Sequence, residues 1–276
     1  FGNKFNNFKI VPKGHHNCQL YTVNCQLIHL QPPIYVQPQI GTINMAKTSL
    51  SSPIPRRDET IVGFSWFGFQ LLLLPSILTG LNGLLKKPLS LAEVNFTFFL
   101  INFLATLWIY HRFLSGSWKN VKAHPILFGQ AIVLALVAYW LSTLAMNWAI
   151  RQLDPGFVNR NDASIASMTQ GSYYLMLLGT GILAPVAEEC VYRGLVFRNI
   201  YSTAPWAAYL VSMVAFSMVH IVSYVGSYTP LQLVLAFVQY LPGGAWLCWC
   251  YTKSGSIYGP IVMHSLINLY SLNLLR

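Results

Sequence analysis

Two adjacent glutamates, Glu188 and Glu189, end a long uncharged run and are the only acidic residues after Asp162 in a chain that has seven. Carboxylates at membrane depth are costly to desolvate, so where they occur they face a cavity, pair, and do chemistry. At helical spacing Glu189 and Arg193 share a face, acid before base, the favourable order for an ion pair. Glu188 then lies about 100° around the helix, with Tyr192 on its own face. Two histidines stand in later apolar segments, one closing Phe216-Ser-Met-Val-His220 and one opening His264-Ser-Leu-Ile-Asn268. In each segment the end residues are i and i+4 and share a helix face. Taken singly, the charged trio Glu188, Glu189 and Arg193 also fits a knot tying helices together, and each histidine a structural ring.

Together these groups suit hydrolysis. A carboxylate beside an imidazole can orient and deprotonate a water. A second imidazole and a side-chain amide can donate hydrogen bonds to the oxyanion formed when water attacks a carbonyl. His264 and Asn268, one turn apart, can point at one oxygen. The same residue types allow a metal reading in which Glu188, His220 and His264 hold zinc with an open position. The zinc-protease H-E-x-x-H helix and the serine-hydrolase G-x-S-x-G turn are both absent. The aspartates lie in hydrophilic links, so serine and aspartic mechanisms find little support.

The elements that must carry these groups read as membrane helices. Apolar residues make up 54% of the 276 and charged residues 9%, against about 25% charged in a soluble domain. Mean hydropathy is +0.49. Apolar runs of the ~20 residues a helix needs to cross a bilayer predict seven spans: about 61–85, 94–114 with Arg112 at its interfacial end, 125–150, 172–187 continuing through the double-Glu motif to 201, 205–222, 231–251 and 257–275. An eighth is not visible. The fold class is all-α, a polytopic transmembrane helical bundle. Pro75 and Gly80 are candidate bends in the first span, and Trp118, Lys119 and Lys122 read as a basic, aromatic loop after the second. Asn161 or Asp162 is the expected cap of the fourth span's helix, and 223–230 reads as a loop.

The net charge of +10 is spread over single or paired Lys and Arg with no basic stripe, so these cations are read as lipid-facing flanks and no nucleic-acid partner is expected. Their distribution favours an N-terminus on the inner side. Cys18, Cys25, Cys190, Cys248 and Cys250 show no C-x-x-C and read as free thiols. Residues 1–44 lack Asp and Glu, are rich in Asn and Gln, and precede Met45. They are expected to be a disordered leader or a translated upstream segment, with a metal-binding tail through His15, His16 and Cys18 as the alternative. Residues 45–60 are expected to form a cytoplasmic segment and 61–276 the membrane domain.

Glu188-Glu189-x-x-x-Arg193, Phe216-x-x-x-His220 and His264-x-x-x-Asn268, in this order on successive apolar helices, resemble the three motifs of the CPBP family (CAAX protease and bacteriocin processing, also called Abi). Ala184-Pro185, Arg193-Gly194 and Gly259-Pro260 fit as well, and the resemblance covers about 172–270. It implies an intramembrane glutamic endopeptidase similar to the type II CAAX prenyl endopeptidases. It further implies that Glu188 with His220 activates water, that His264 with Asn268 stabilises the oxyanion, and that Glu189, Arg193 and Phe216 support the site. Cys190, Val191 and Tyr192 depart mildly from the family's usual residues.

The expected substrate is a membrane-associated protein or peptide, reached in the bilayer through a water-bearing cavity among spans four, five and seven. No cofactor is expected, with zinc as the lesser alternative. A non-proteolytic immunity or scaffold protein that retains the site is the rival function. Compactness resembles the bacterial members and implies a bacterial cytoplasmic membrane.

Overall fold

The computed structural model describes residues 50–275. The expectations for residues 1–44, Cys18 and Cys25 among them, lie outside that range. Among the described residues the fold is entirely helical.

The first expected span is two helices, α1 (Arg57–Leu72) and α2 (Leu74–Gly83), bent by 45°. The break falls at Leu73, two residues before Pro75, whose ring and missing N–H prevent the helix from running straight through. Gly80 lies inside α2 and makes no bend. The helix α3 (Leu91–Ile109) starts on a reciprocal cap in which the Ser90 hydroxyl accepts from the Glu93 amide, and Glu93 Oε2 accepts from the Ser90 amide at 2.7 Å.

The expected basic loop after the second span is instead a helix, α4 (His111–Ala123). It buries Phe113, Leu114 and Ser117 on one face and exposes Arg112, Lys119 and Lys122 on the other. Its start is fixed from another helix, since buried Glu59 of α1 accepts from the Phe113 amide at 3.0 Å. A carboxylate there also meets the positive end of α4.

After α5 (Pro125–Leu153) comes a continuous helical stretch, 160–201, built from α6 (Arg160–Leu178), a π-helical turn (Gly179–Leu183), α7 (Ala184–Glu189), a second π-helical segment (Cys190–Phe197) and α8 (Arg198–Tyr201). It begins earlier than the expected residue 172, which is instead a kink, with Ser172 at φ −154°, ψ 57°. Its cap is Asn159, whose Oδ1 accepts from the Asn161 and Asp162 amides, so neither expected residue is the cap. The remaining helices are α9 (Pro205–Ile221), α10 (Pro230–Ser254) and α11 (Tyr258–Leu274). The expected loop near 223 holds a 3₁₀ turn, Val222–Ser227. The helix α10 ends on Gly255, whose φ of 64° suits a residue without Cβ.

Among the described residues five helical stretches qualify by length and apolarity to cross a membrane, or six if α1 and α2 form one broken span. This is fewer than the seven expected: α11 corresponds to the last expected span but is only 17 residues long. The 160–201 stretch is the axis of the bundle, with its most apolar window 56% buried, against 17% in α5. The outer face of α5 presents Val133, Leu134, Val137, Leu141, Leu144 and Trp148, apolar side chains suited to lipid.

Candidate active site

The acidic pair sits where the axial helix changes register. At the first π turn the Ala184 amide bonds to the Gly179 carbonyl, five residues back. The next amide in that register belongs to Pro185 and does not exist, so the Thr180 carbonyl is left without that partner. Asn268 of α11 supplies one, with Nδ2 donating to Thr180 O at 2.9 Å. Gly181 lets α11 come close, since a Cβ there would lie 2.7 Å from Leu269 Cδ2. Segments of this kind recur at functional sites because they turn side chains away from the regular helical faces.

Glu189 and Arg193 are both fully buried and joined at 2.9 Å, Nη1 to Oε1, as their spacing predicts. Arg193 also donates through Nη2 to the Gly244 carbonyl at 3.1 Å, and its guanidinium carbon stands 4.5 Å over the Phe216 ring. These further contacts support the pair in the interior, although Glu189 Oε2 and Arg193 Nε are left without a hydrogen-bond partner.

His264 reaches the same carboxylate, its Nδ1 lying 2.7 Å from Glu189 Oε1. An ionised carboxylate only accepts, so Nδ1 carries the hydrogen and Nε2 is left facing Glu188, whose Oε2 is 3.9 Å away. His264 therefore bridges the two glutamates. Glu188 is the one that reaches open space, with 22% of its side chain exposed. It lines a cleft of about 70 Å³ with Phe67, Gln70, Phe98, Asn102 and Tyr192. The cleft lies on the α1–α3 side of the axial helix, with Val219 of α9 also on its wall. It does not lie among spans four, five and seven, because the interior between those helices is filled by Phe216, Leu247, Met263 and their neighbours.

His220 stands apart from Glu188. Its Nδ1 donates to its own helix at Phe216 O, 2.7 Å, which leaves Nε2 unprotonated in the neutral ring. Its faces meet Phe216, at 4.6 Å between centroids, and Tyr240, stacked at 4.4 Å and 28°. Phe216 is the hub of the group, touching Tyr192 and His264 edge-on as well. Glu188, Glu189, Arg193, Phe216, His220, His264 and Asn268 thus converge on one region of α7, α9 and α11. The direct partners are Glu188 with His264 and Asn268 with Thr180, whereas the family resemblance implies Glu188 with His220, and the spacing of His264 and Asn268 suggests that those two point at one oxygen. Among the described residues no three His, Cys, Asp or Glu side chains converge at metal-ligand distances. Cys190, Cys248 and Cys250 are free and buried.

Thr180, Gly244 and Tyr240 join the site without having been singled out in the sequence. Gly244 and Thr180 carried local signals, one in Pro242-Gly-Gly and the other in Gly179-Thr-Gly181, each inside an apolar helix.

Residues 170–270 match the family model described as Type II CAAX prenyl endopeptidase Rce1-like. All seven convergent residues fall inside the match. No curated protein and no solved structure matches the chain. Over residues 170–270, where its acidic pair, two histidines and asparagine converge, the chain is similar to the Rce1-like type II CAAX prenyl endopeptidases, the family its three motifs resemble.

Proposed function

We propose that the protein is an intramembrane endopeptidase that hydrolyses a peptide bond of a membrane-associated protein or peptide with a carboxylate-activated water. The observation that carries this is the unequal placement of two adjacent glutamates, Glu189 sealed against Arg193 and His264 and Glu188 facing the cleft. A buried, paired carboxylate holds geometry. One at a cleft wall, backed by an imidazole 3.9 Å away, can take a proton.

In the proposed reaction a water in the cleft attacks the scissile carbonyl carbon and gives its proton to Glu188. The proton is then shared with His264 Nε2, and the imidazolium so formed is stabilised by Glu189 at Nδ1. Collapse of the tetrahedral intermediate breaks the C–N bond, and the proton passes to the leaving nitrogen. The family-implied roles give the water to Glu188 with His220. The resting distances favour His264 as the partner of Glu188, and His220, whose Nδ1 bond to Phe216 O leaves Nε2 free to accept, is proposed to meet the substrate beside it. Asn268 has a second Nδ2 hydrogen beyond the one given to Thr180, and it is the group proposed to meet the oxyanion.

No metal is assigned a part in this reaction. For the membrane orientation we favour the N-terminal end inside. Arg56, Arg112 and Lys119 lie at the end of the bundle where Asn120 of α4 bonds both Ser51 O and Gly255 O, a clustering that suits the inner face.

The test is cleavage of a fluorogenic prenylated peptide in proteoliposomes. Wild type is expected to cleave it, with Glu188→Gln and His264→Ala slower by about 100-fold or more, and a zinc chelator is expected to leave the rate unchanged. Equal rates in all three proteins would remove the endopeptidase reading. Loss of activity with chelator, restored by zinc, would move the mechanism to a metal.

A further inference from the structure

His220 is held weakly by its own helix. It lies next to the last residue of α9, before the chain tightens into the 3₁₀ turn, and the one hydrogen bond its ring makes is to Phe216 O. The Phe216 ring of the same helix meets the imidazole at 4.6 Å, and the restraint from another helix comes from α10, where the Tyr240 ring stacks on it at 4.4 Å. The far end of Tyr240 is fixed in turn. Its hydroxyl donates to Asp162 Oδ1 at 2.9 Å, accepts from Asn161 Nδ2 at 3.1 Å, and lies 3.2 Å from Asn159 Oδ1. The neighbouring Gln239 is tied to the same cap, with Asn159 Nδ2 donating to Gln239 Oε1 at 2.8 Å while Gln239 Nε2 donates to Asn147 at 3.1 Å.

These side chains make one continuous construction from the start of α6 to the imidazole. Three of its members, Asn159, Asn161 and Asp162, lie outside the Rce1-like segment 170–270. We infer that Tyr240 is a positioning residue for His220, a ring clamp anchored on the α6 cap that sets the plane in which the imidazole meets the substrate. Resting on the endopeptidase reading, this means that the 160–171 arm of the axial helix serves to aim a histidine on another helix. A polar network at the end of an apolar bundle also rigidifies what it touches when its members are satisfied.

The experiment uses the full chain in proteoliposomes and compares wild type, Tyr240→Ala and Tyr240→Phe. One readout is cleavage of the prenylated peptide. The other is the rate at which diethylpyrocarbonate modifies His220 and His264, read site by site by mass spectrometry. Tyr240→Ala is expected to lower kcat about 10- to 100-fold with KM within about twofold, since a misplacement on the order of 1 Å costs a rate of that order. It is also expected to speed His220 modification about tenfold and leave His264 unchanged, a freed ring reacting faster than a stacked one. Tyr240→Phe keeps the ring but drops the hydroxyl that ties it to the α6 cap, so it is expected to fall between the two, with kcat lower by about three- to tenfold and His220 modified about threefold faster. A Tyr240→Ala protein with wild-type kcat, or with His220 no faster than in wild type, overturns the clamp, as does a parallel rise at both histidines, which marks general loosening. If wild type cleaves nothing, the endopeptidase reading fails, and the modification rates still decide whether Tyr240 holds His220.

Discussion

Nδ1 of His264 and Oε1 of Glu189 lie 2.7 Å apart, and Arg193 Nη1 meets that same oxygen at 2.9 Å. One buried carboxylate oxygen therefore fixes both the imidazole of α11 and the guanidinium of the axial helix. Glu188, the next residue back, makes neither contact and faces the cleft.

The two glutamates should consequently fail in different ways. Glu188→Gln, at a position 22% exposed on its side chain, is expected to keep thermal stability within about 1 kcal/mol, the range of changes that leave packing intact, while activity falls by about 100-fold or more. Glu189→Gln strands Arg193 in the interior and is expected to destabilise the protein by about 3–5 kcal/mol, with activity lost as well. Thermal unfolding in detergent and the peptide assay, run on both variants, check this. Equal stability losses would mean that the glutamates share one role.

A double-variant cycle sharpens the same point. Arg193→Met alone leaves Glu189 charged and buried, and should be as harmful as Glu189→Gln. With both changes no unpaired charge remains, so the double variant is expected to recover about 2 kcal/mol or more relative to the sum of the singles. Additive losses would show that the pair is no unit.

Much of this site could be read in the sequence because its chemistry sits in residue types at helical spacing. Glu189 and Arg193 were bound to meet if the segment was helical, and they do. The partners that could not be read are those that depend on how one helix is rotated against another. Each π-helical segment adds a residue to its turn and swings everything beyond it by about 100°. No wheel drawn from the sequence alone therefore aims His264 at Glu189, or Asn268 at Thr180. The α4 helix and the Tyr240 stack were hidden for a related reason. Their stabilising partners, Glu59 and Asp162, are far away in sequence and speak only through tertiary contact.

Close helix approach behind Arg193 gives another measurable consequence. A Cβ at Gly244 would stand 3.1 Å from Met213 Cα, and backbone in a packed helix cannot yield as a side-chain tip would. Gly244 also presents the carbonyl that accepts from Arg193. Gly244→Ala gains about 1 kcal/mol of helix propensity but should lose about 1–3 kcal/mol to overpacking, for a net fall in Tm. The outer-face control Gly129→Ala meets no atom within 4 Å and should be neutral or stabilising. A stabilised Gly244→Ala would show that α9 and α10 have room to separate.

The segment ahead of α1 packs onto the bundle, and its attachment can be tested directly. Residues 50–53, within the segment expected to be cytoplasmic, include buried Leu50 and Ser52. Arg198 at the end of the axial helix donates to Ser52 O at 3.0 Å and Leu50 O at 3.3 Å, and Tyr251 donates to Ser52 Oγ at 2.8 Å. The Asn120 bond to Ser51 O closes the clasp from α4. Charged hydrogen bonds contribute about 1.5–3 kcal/mol each, so Arg198→Ala should release the segment and lower stability by about 2–4 kcal/mol. Tryptic cleavage between the exposed Arg56 and Arg57 should then speed up well before global unfolding. Arg198→Lys keeps the charge but offers a compact ammonium where the guanidinium forks to two carbonyls, so it should restore the protection only in part. If cleavage at Arg56 in Arg198→Ala follows the wild-type time course, the segment is held by its apolar burial, and the guanidinium contributes little.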